Sequence, residues 1–350
     1  MNKGITNVIG LDLSDLKISA CVLDMASGRV VERRLIDATK DAIEELLEDY
    51  PHSRVAMETG QSSRFVEKVV RGCGIDEVMV LDARQLAVVT QSARKSDVQD
   101  AELIARMVRH NDLVLVNTIE HRDDTLQYDY ALISTRATLV KARAKMITFT
   151  KLMVKSFGVR MKSSSASNFQ KQLISINDDW LRAILDPLFM VLTSLTSQIA
   201  RLDAMIEAAL TKHEVAPRLR TIKGIGPVTA LTFIAVIQDP GRFKNSRDAA
   251  AYIGLVPGRK QSGGNDPKQR ITKAGNSLLR AYLTSSAHHI LNYAKDDGLR
   301  EFGIALKQRG KPSRVVATAL ARKLATVMHA MWKSGTTYKN AYRAPMGQPA

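Results

Sequence analysis

The sequence predicts an α/β domain at the front, a long helical hairpin after it, and a basic, mainly α-helical domain at the back. Three observations carry this. Residues 7–81 alternate short β-rich runs with amphipathic helical stretches. Residues 121–213 carry apolar positions spaced alternately by four and three, the pattern of paired helices. Charge is segregated: residues 1–110 hold 15 Lys/Arg against 18 Asp/Glu, residues 111–215 hold 13 against 11, and residues 216–350 hold 23 against 6. With 350 residues, 45% of them hydrophobic, the chain can build two or three domains with their own cores.

In order, Asn7–Leu13 is an apolar run containing Asp12, Lys17–Leu23 is β-rich and runs into Asp24, and Arg29–Ile36 follows a Ser27-Gly28 turn. Three strands joined by short turns read as an antiparallel meander. Lys40–Asp49 has helical spacing, and Arg54–Met57 is a short strand that delivers Glu58 at its end. Ser63–Arg71 is again helical, and Glu77–Leu81 is a further strand. Lys95–His110, KSDVQDAELIARMVRH, opens another helix. Ser96 and Gln99 have capping-box spacing, and Val98, Ala101, Ala105 and Val108 form an apolar stripe. The order βββ-α-β-α-β-α implies a mixed sheet with helices packed on it.

Carboxylates at strand ends are where such sheets place chemistry. Asp12 leaves the first strand and Glu58 the fourth, while Asp97 and Asp100 stand three apart in the first turn of the helix, on one face. In this strand order the first and fourth strands are neighbours, which allows the four to converge. Clustered carboxylates repel. A helix dipole offsets only about 0.3–1 kcal/mol for each, whereas a divalent cation does far more, and oxygen-only ligands suit magnesium or manganese. Taken singly, each residue has a plainer reading: a turn at Asp12, a helix cap at Glu58, a solvated first turn at Asp97 and Asp100.

The pattern GLDLSDLKISACVLD, then METG, then KSDVQDAELIARM resembles the RuvC-like, RNase H-type nuclease domain. More closely, it resembles the DEDD transposases of bacterial insertion sequences related to the Piv invertase, RNA-guided recombinases that use a bridge RNA. The resemblance implies that Asp12, Glu58, Asp97 and Asp100 are the catalytic DEDD tetrad and bind Mg2+ or Mn2+, within a first domain spanning 1–120. Where many relatives read Glu-Ala-Thr-Gly after the fourth strand, this chain reads Glu58-Thr59-Gly60-Gln61.

Residues 121–215 form the hairpin. One seam runs Leu126, Tyr130, Ile133, Ala137, Val140, Ala144, Ile147, with Lys151 interrupting before Val154; the other runs Leu188, Leu192, Leu195, Ile199, Leu202, Ile206, Ala209. Polar residues 156–168 are expected to be the loop between them. An intramolecular spacer and an oligomerisation arm both fit the seams. In the resembled family this region helps assemble protomers, which implies a dimer or tetramer.

Residues 216–335 carry two further motifs. In RLRTIKGIGPVTALTFIAVI, Gly224-Ile225-Gly226 separates two short helices and resembles a helix-hairpin-helix. Its glycines allow a phosphate to approach the backbone, Pro227 fits the first helical turn, and Lys223 adds charge. Farther on, GLVPGRKQSGGNDPKQRITKAG gathers Arg259, Lys260, Lys268, Arg270 and Lys273 around Ser262. Such cations neutralise phosphates, so these residues and the hairpin are the nucleic-acid-binding candidates. No His adjoins Ser262, and from its surroundings alone it is a phosphate hydrogen-bond donor. The resembled family has a Gly-Leu-x-Pro…Ser-Gly segment whose serine is the proposed nucleophile. Gly254-Leu255-Val256-Pro257…Ser262-Gly263 matches it, which extends the resemblance from Asn7 to about Trp332. Asn276–Lys295 and Arg314–Trp332 read as two closing helices joined by a basic connector with Lys307, Arg309, Lys311 and Arg314, and 336–350 as a loose tail. His288 and His289 have no further ligands at metal spacing.

Cys21 and Cys73 lack metal or redox spacing, both are expected in apolar surroundings, and a reducing cytoplasm follows. No apolar run is expected to reach the length of a membrane span. The sum of these readings is a DNA recombinase with DNA and a bridge RNA as partners. Three alternatives stand beside it. A metal-dependent Holliday-junction-type endonuclease would hydrolyse DNA with water. An actin/sugar-kinase-like ATP-binding protein shares the first motif but needs a second glycine-rich phosphate motif that is missing here. An RNA-binding scaffold with a relict nuclease site is the non-enzymatic option.

Overall fold

The structure, a computed structural model, describes residues 4–82, 97–109, 118–162, 166–174, 176–258 and 269–339. It falls into two compact units, 1–121 and 122–350.

The first unit is built on a five-stranded sheet. Its strands are β1 (Asn7–Leu13), β2 (Lys17–Asp24), β3 (Val30–Asp37), β4 (Ser53–Glu58) and β5 (Val78–Leu81), in the order β3-β2-β1-β4-β5. The first three form the expected meander, and β4 and β5 run parallel to β1. Asp24 shapes the β2–β3 turn by accepting from the Ser27 amide and hydroxyl at 2.7 and 2.6 Å, and Gly28 takes φ +70°. A parallel return from β3 to β4 needs a crossover, supplied by α1 (Lys40–Asp49), whose first turn is capped by Thr39. With α2 (Ser63–Gly72), α1 covers one sheet face over Ile9, Leu11, Val55 and Met57. α3 (Asp97–Arg109) covers the other over Val8, Cys21, Ala56 and Leu81. Coverage on both faces explains why β1 and β4 read as continuous apolar runs. Among the described residues the expected βββ-α-β-α-β-α order is the observed one. Ser96 lies outside the described residues, and Ile104 joins Ala101, Ala105 and Val108 in the buried stripe of α3. Cys21 is buried as expected, whereas Cys73, at the end of α2, is exposed.

The second unit opens with two long helices, α4 (Asp124–Ser156) and α6 (Asp179–Leu210), capped by Asp123 and Asp178. They are antiparallel: Arg136 bonds Asp203 at 2.7 Å, Arg143 reaches Thr196, and Val154 packs with Leu181 and Leu185. On α6 the buried Leu185, Leu192, Ile199 and Ile206 recur every seven residues, while Leu188, Leu195 and Leu202 are only half-buried. The expected loop 156–168 is shorter than the sequence suggested. A helix α5 (Ala166–Ile174) starts within it and buries Phe169 and Leu173 in a small core at the hairpin tip, an apolar burial that outweighs local polarity. Contrary to the sequence expectation, α6 is long and apolar enough to cross a membrane, by length and composition. Here it packs one side on α4 and α5.

The hairpin root shares its core with the C-terminal helices α7 (Ala216–Leu219), α8 (Pro227–Ile237), α9 (Ser246–Tyr252), α10 (Ser277–Tyr293), α11 (Gly298–Gln308) and α12 (Ser313–Ser334). α8 is buried from Thr229 to Ile237, so it is apolar all round. Three helices close this unit rather than two. The supposed connector is largely α11, which includes Lys307, and only residues 309–312 link it to α12. The tail is also ordered farther than expected. Tyr338 donates its hydroxyl to buried Asp297 at 3.1 Å and its amide to Thr221, so residues to 339 fold back onto the unit.

His329 of α12 is fully buried, with Nε2 3.0 Å from the Pro240 carbonyl and Nδ1 3.0 Å from the Ser246 hydroxyl. Burial pushes its pKa below the usual 6.5. The folded state therefore holds it neutral, and the unfolded chain takes up a proton first. Its contribution is fully present above pH about 6.5 and is lost as pH falls below that value toward the lowered folded one. We expect acid unfolding midpoints measured between pH 7 and 5 to fall less steeply for His329→Gln than for the native chain.

Candidate active site

One strand register and one helix position the candidate residues. β1 pairs with β4 so that Leu11 faces Met57, which makes Asp12 and Glu58 the next residues on adjacent strands, about 4.8 Å apart. Two residues back, Gly10 and Ala56 face α3, and side chains alternate along a strand, so Asp12 and Glu58 stand on that same face. Both are half-buried and engaged by other groups.

Gly10 explains how α3 comes so close. A Cβ there would lie 2.1 Å from the Ala101 carbonyl oxygen and 2.6 Å from the Ala105 nitrogen. The helix runs opposite to β1 and β4. Its last carbonyls, of Val108 and Arg109, accept from buried Arg54 at the start of β4, at 2.8 and 3.2 Å. Arg109 in turn donates to the carbonyls of Met25 and Ala26 in the β2–β3 turn. Because Ala101 sits over Gly10, the first turn with Asp97 and Asp100 lies about one helical turn, roughly 5 Å, toward the strand ends that carry Asp12 and Glu58. Asp100 is half-buried, and the side chain of Asp97 lies outside the described ones. A helix N-terminus aimed at clustered carboxylates offsets part of their repulsion.

Among the described residues no three His, Cys, Asp or Glu side chains stand in a metal-holding group. The donor set itself is oxygen-only on two strands and one helix turn, which fits a hard divalent cation. Gly10 and Arg54 are the residues sequence reasoning missed. The available signal was a glycine inside a strand, which marks close backbone approach.

In the second unit, Ser262, Arg259, Lys260 and Lys268 lie outside the described residues. The chain on either side is tightly built. Pro257 bridges Ile271, the Gly258 amide donates to the Arg270 carbonyl at 2.8 Å, and the Thr272 amide donates to the Val256 carbonyl at 2.9 Å. Lys273 adopts φ +56° and donates its amide to Gly254. Two glycines allow this crossing of backbones. A Cβ on Gly254 would meet the Ala274 nitrogen at 2.7 Å, and one on Gly275 would lie 1.9 Å from the Tyr252 carbonyl oxygen. Arg280 then donates to the carbonyls of Ile253 and Gly275. We expect Gly275→Ala to lower the thermal midpoint by several degrees, a destabilisation of about 2–4 kcal/mol from overpacking against backbone that cannot yield, measured by calorimetry.

Gly224 takes φ +88° between α7 and α8 with His289 packed against it, and Gly226 precedes Pro227 as the extended cap of α8. Lys223 donates to the Lys295 carbonyl at 3.2 Å, Arg220 pairs with Glu207 at 2.8 Å, and exposed Arg270 and Lys273 stand at the serine segment's exit. His289 stacks near Tyr293, with 5.0 Å between ring centroids, and both are exposed.

Comparison with known proteins adds the following. A DEDD transposase model of the IS110 type matches residues 9–157, and the model of the Transposase IS116/IS110/IS902 family matches residues 216–302. The chain is 27% identical to a "Probable family 20 transposase" of Pseudomonas aeruginosa over 95% of its own length and 98% of that protein. It is 26% identical to the "Transposase for insertion sequence element IS1328" of Yersinia enterocolitica, covering 95% of this chain and 98% of that one. The "Pilin gene-inverting protein" of Moraxella lacunata is 33% identical over 33% of this chain and 36% of its own.

Proposed function

The chain is a DEDD transposase of insertion sequences, and from that premise we propose that it cuts and rejoins DNA through a covalent phosphoserine at Ser262 with a Mg2+- or Mn2+-dependent tetrad of Asp12, Glu58, Asp97 and Asp100. The register of β1 on β4, with α3 running back over Gly10 so that its first turn meets their ends, is the observation that supports the tetrad.

When bound, the cation supplies Lewis-acid polarisation of a phosphate oxygen. The four carboxylates hold it and fix its position. Ser262 Oγ attacks the scissile phosphorus, its proton leaves, and the departing DNA oxygen takes one up. A serine–phosphate ester replaces the strand bond. Attack by the hydroxyl of another strand reverses the step and frees the serine. The net charge of residues 216–350, 23 basic against 6 acidic side chains, supports DNA as the partner of this region, with Arg259, Lys260, Lys268, Arg270, Lys273 and the Lys223–Gly226 hairpin neutralising phosphates.

On the same reading the helix-hairpin-helix-like turn holds backbone phosphates, the α4–α6 pair is a coiled-coil arm over 121–215 that joins protomers into a dimer or tetramer, and a bridge RNA selects the DNA in the cytoplasm. The test is trapping on DNA with a labelled strand: a protein–DNA adduct stable to denaturant supports the serine mechanism. Cleavage with no adduct under any condition supports hydrolysis by water instead.

A further inference from the structure

We propose that His121, Glu67 and Ser63 form a hydrogen-bonded relay that pins the chain directly after Glu58, and that His121 is a positioning residue for the carboxylate site. The inference rests on the reading of Glu58 as a metal ligand.

Glu58 ends β4, and the two residues after it are fixed by polar links. Thr59 donates both its amide and its hydroxyl to the Leu81 carbonyl of β5, at 2.9 and 3.1 Å. Gly60 is exposed and has nothing within 4 Å of where a Cβ would lie, so packing does not hold it. Its amide donates to Ser63 Oγ at 3.1 Å, and its carbonyl accepts from the same hydroxyl at 2.8 Å. Ser63, the first residue of α2, is fully buried. Its third partner is His121 Nε2 at 3.0 Å, and His121 Nδ1 bonds Glu67 Oε2 one turn along α2. Glu67 Oε1 is held in turn by Arg71 at 3.0 Å.

His121 arrives there because the chain before it pairs beside β5: Thr118 bridges Leu81, and the Ile119 amide donates to the Val80 carbonyl at 2.7 Å. The acid–imidazole–hydroxyl order resembles that of a hydrolase triad, but Ser63 is inaccessible and its hydroxyl is committed to Gly60. The relay therefore acts on geometry. It ties the Thr59–Gly60 turn to α2 and to the end of the first unit. Partners bonded directly to a metal ligand typically change metal affinity or activity by about 10–100-fold, and His121, which acts through Ser63 and the Gly60 backbone, falls at the lower end of that range.

The experiment uses the full-length chain. Mn2+ binding without DNA is measured by calorimetry, alongside the Mg2+ concentration that half-saturates DNA cleavage and the amide exchange of residues 59–61. In His121→Ala we expect Mn2+ binding and Mg2+ half-saturation to weaken by roughly tenfold, as for other outer-shell partners, and exchange at residues 59–61 to quicken. Cleavage at saturating Mg2+ should recover most of the native rate, and His121→Gln, which keeps a hydrogen-bonding group, should recover part of the affinity. Metal dependence within twofold of native in folded His121→Ala would overturn the relay. If that variant does not fold, the isosteric Glu67→Gln is judged by the same twofold criterion. A native chain that binds no divalent cation overturns the metal reading of Glu58 itself, a result distinct from unchanged His121 variants.

Discussion

Asp97→Asn is expected to abolish DNA strand cleavage and to leave DNA affinity within a few-fold of native. The substitution keeps the size of the side chain at the start of α3 and removes one negative oxygen donor from the carboxylate site. Loss of a hard cation's ligand forfeits several kcal/mol of charge stabilisation at the phosphate, and each 1.36 kcal/mol is about tenfold in rate, so a loss of at least roughly a thousandfold is expected. If DNA affinity resides mainly in the basic residues of 216–350, as their charge suggests, it should barely change. Cleavage of an end-labelled duplex across a Mg2+ series, beside a filter-binding titration, measures both quantities. Undiminished cleavage by the variant, or by the native chain in EDTA, removes the metal hypothesis. Gly10→Val offers an independent check. It changes no ligand but pushes α3 off β1 against the Ala101 carbonyl, and it should depress cleavage in a chain whose second unit still binds DNA.

Ser262→Ala is expected to eliminate every covalent protein–DNA species while the protein still folds and binds DNA. A serine hydroxyl is a weak nucleophile at neutral pH and needs a base or a metal to activate it. The sequence around Ser262 offers glycines and cations but no base, so the proposed mechanism assigns its activation to the carboxylate site. Whether that site belongs to the same chain is decided by mixing Ser262→Ala with Asp97→Asn chains. If the serine of one protomer meets the tetrad of another, mixed assemblies contain an intact pair and partial cleavage returns. If each chain uses its own tetrad, mixing restores nothing. Normal recombination by Ser262→Ala alone ends the serine mechanism and favours hydrolysis by water.

The N-terminal domain was legible because its signals are local. Asn7–Leu13 and Lys17–Asp24 alternate or saturate with apolar residues, Ser27-Gly28 marks the turn, and Lys40–Asp49 has helical spacing. The positions of Asp12 and Glu58 at strand ends and of Asp97 and Asp100 in the first turn of α3 were equally readable, since strand ends and helix first turns can be located without knowing the partners. The antiparallel pairing of the two long helices was legible for the same reason, as each carries its own repeat.

What one stretch of chain could not announce was contact between distant stretches. Gly10 reads as one weak strand residue until Ala101 and Ala105 are packed on it, and Gly254 and Gly275 read as turn residues until their backbones cross. Arg54 looks like a surface charge, yet it is buried against the C-terminal carbonyls of α3, fifty-odd residues away. The helices α5 and α11 and the ordered tail to Lys339 were missed because Phe169, Leu299 and Tyr338 gain their stability from partners far along the chain. Sequence periodicity therefore settled which elements exist and which faces are apolar, because hydrogen bonding and amphipathicity act within a few residues. Tertiary packing alone settled how closely α3 approaches the sheet and which backbone groups anchor the segment around Ser262, because burial and steric exclusion depend on residues that meet only after the chain has folded.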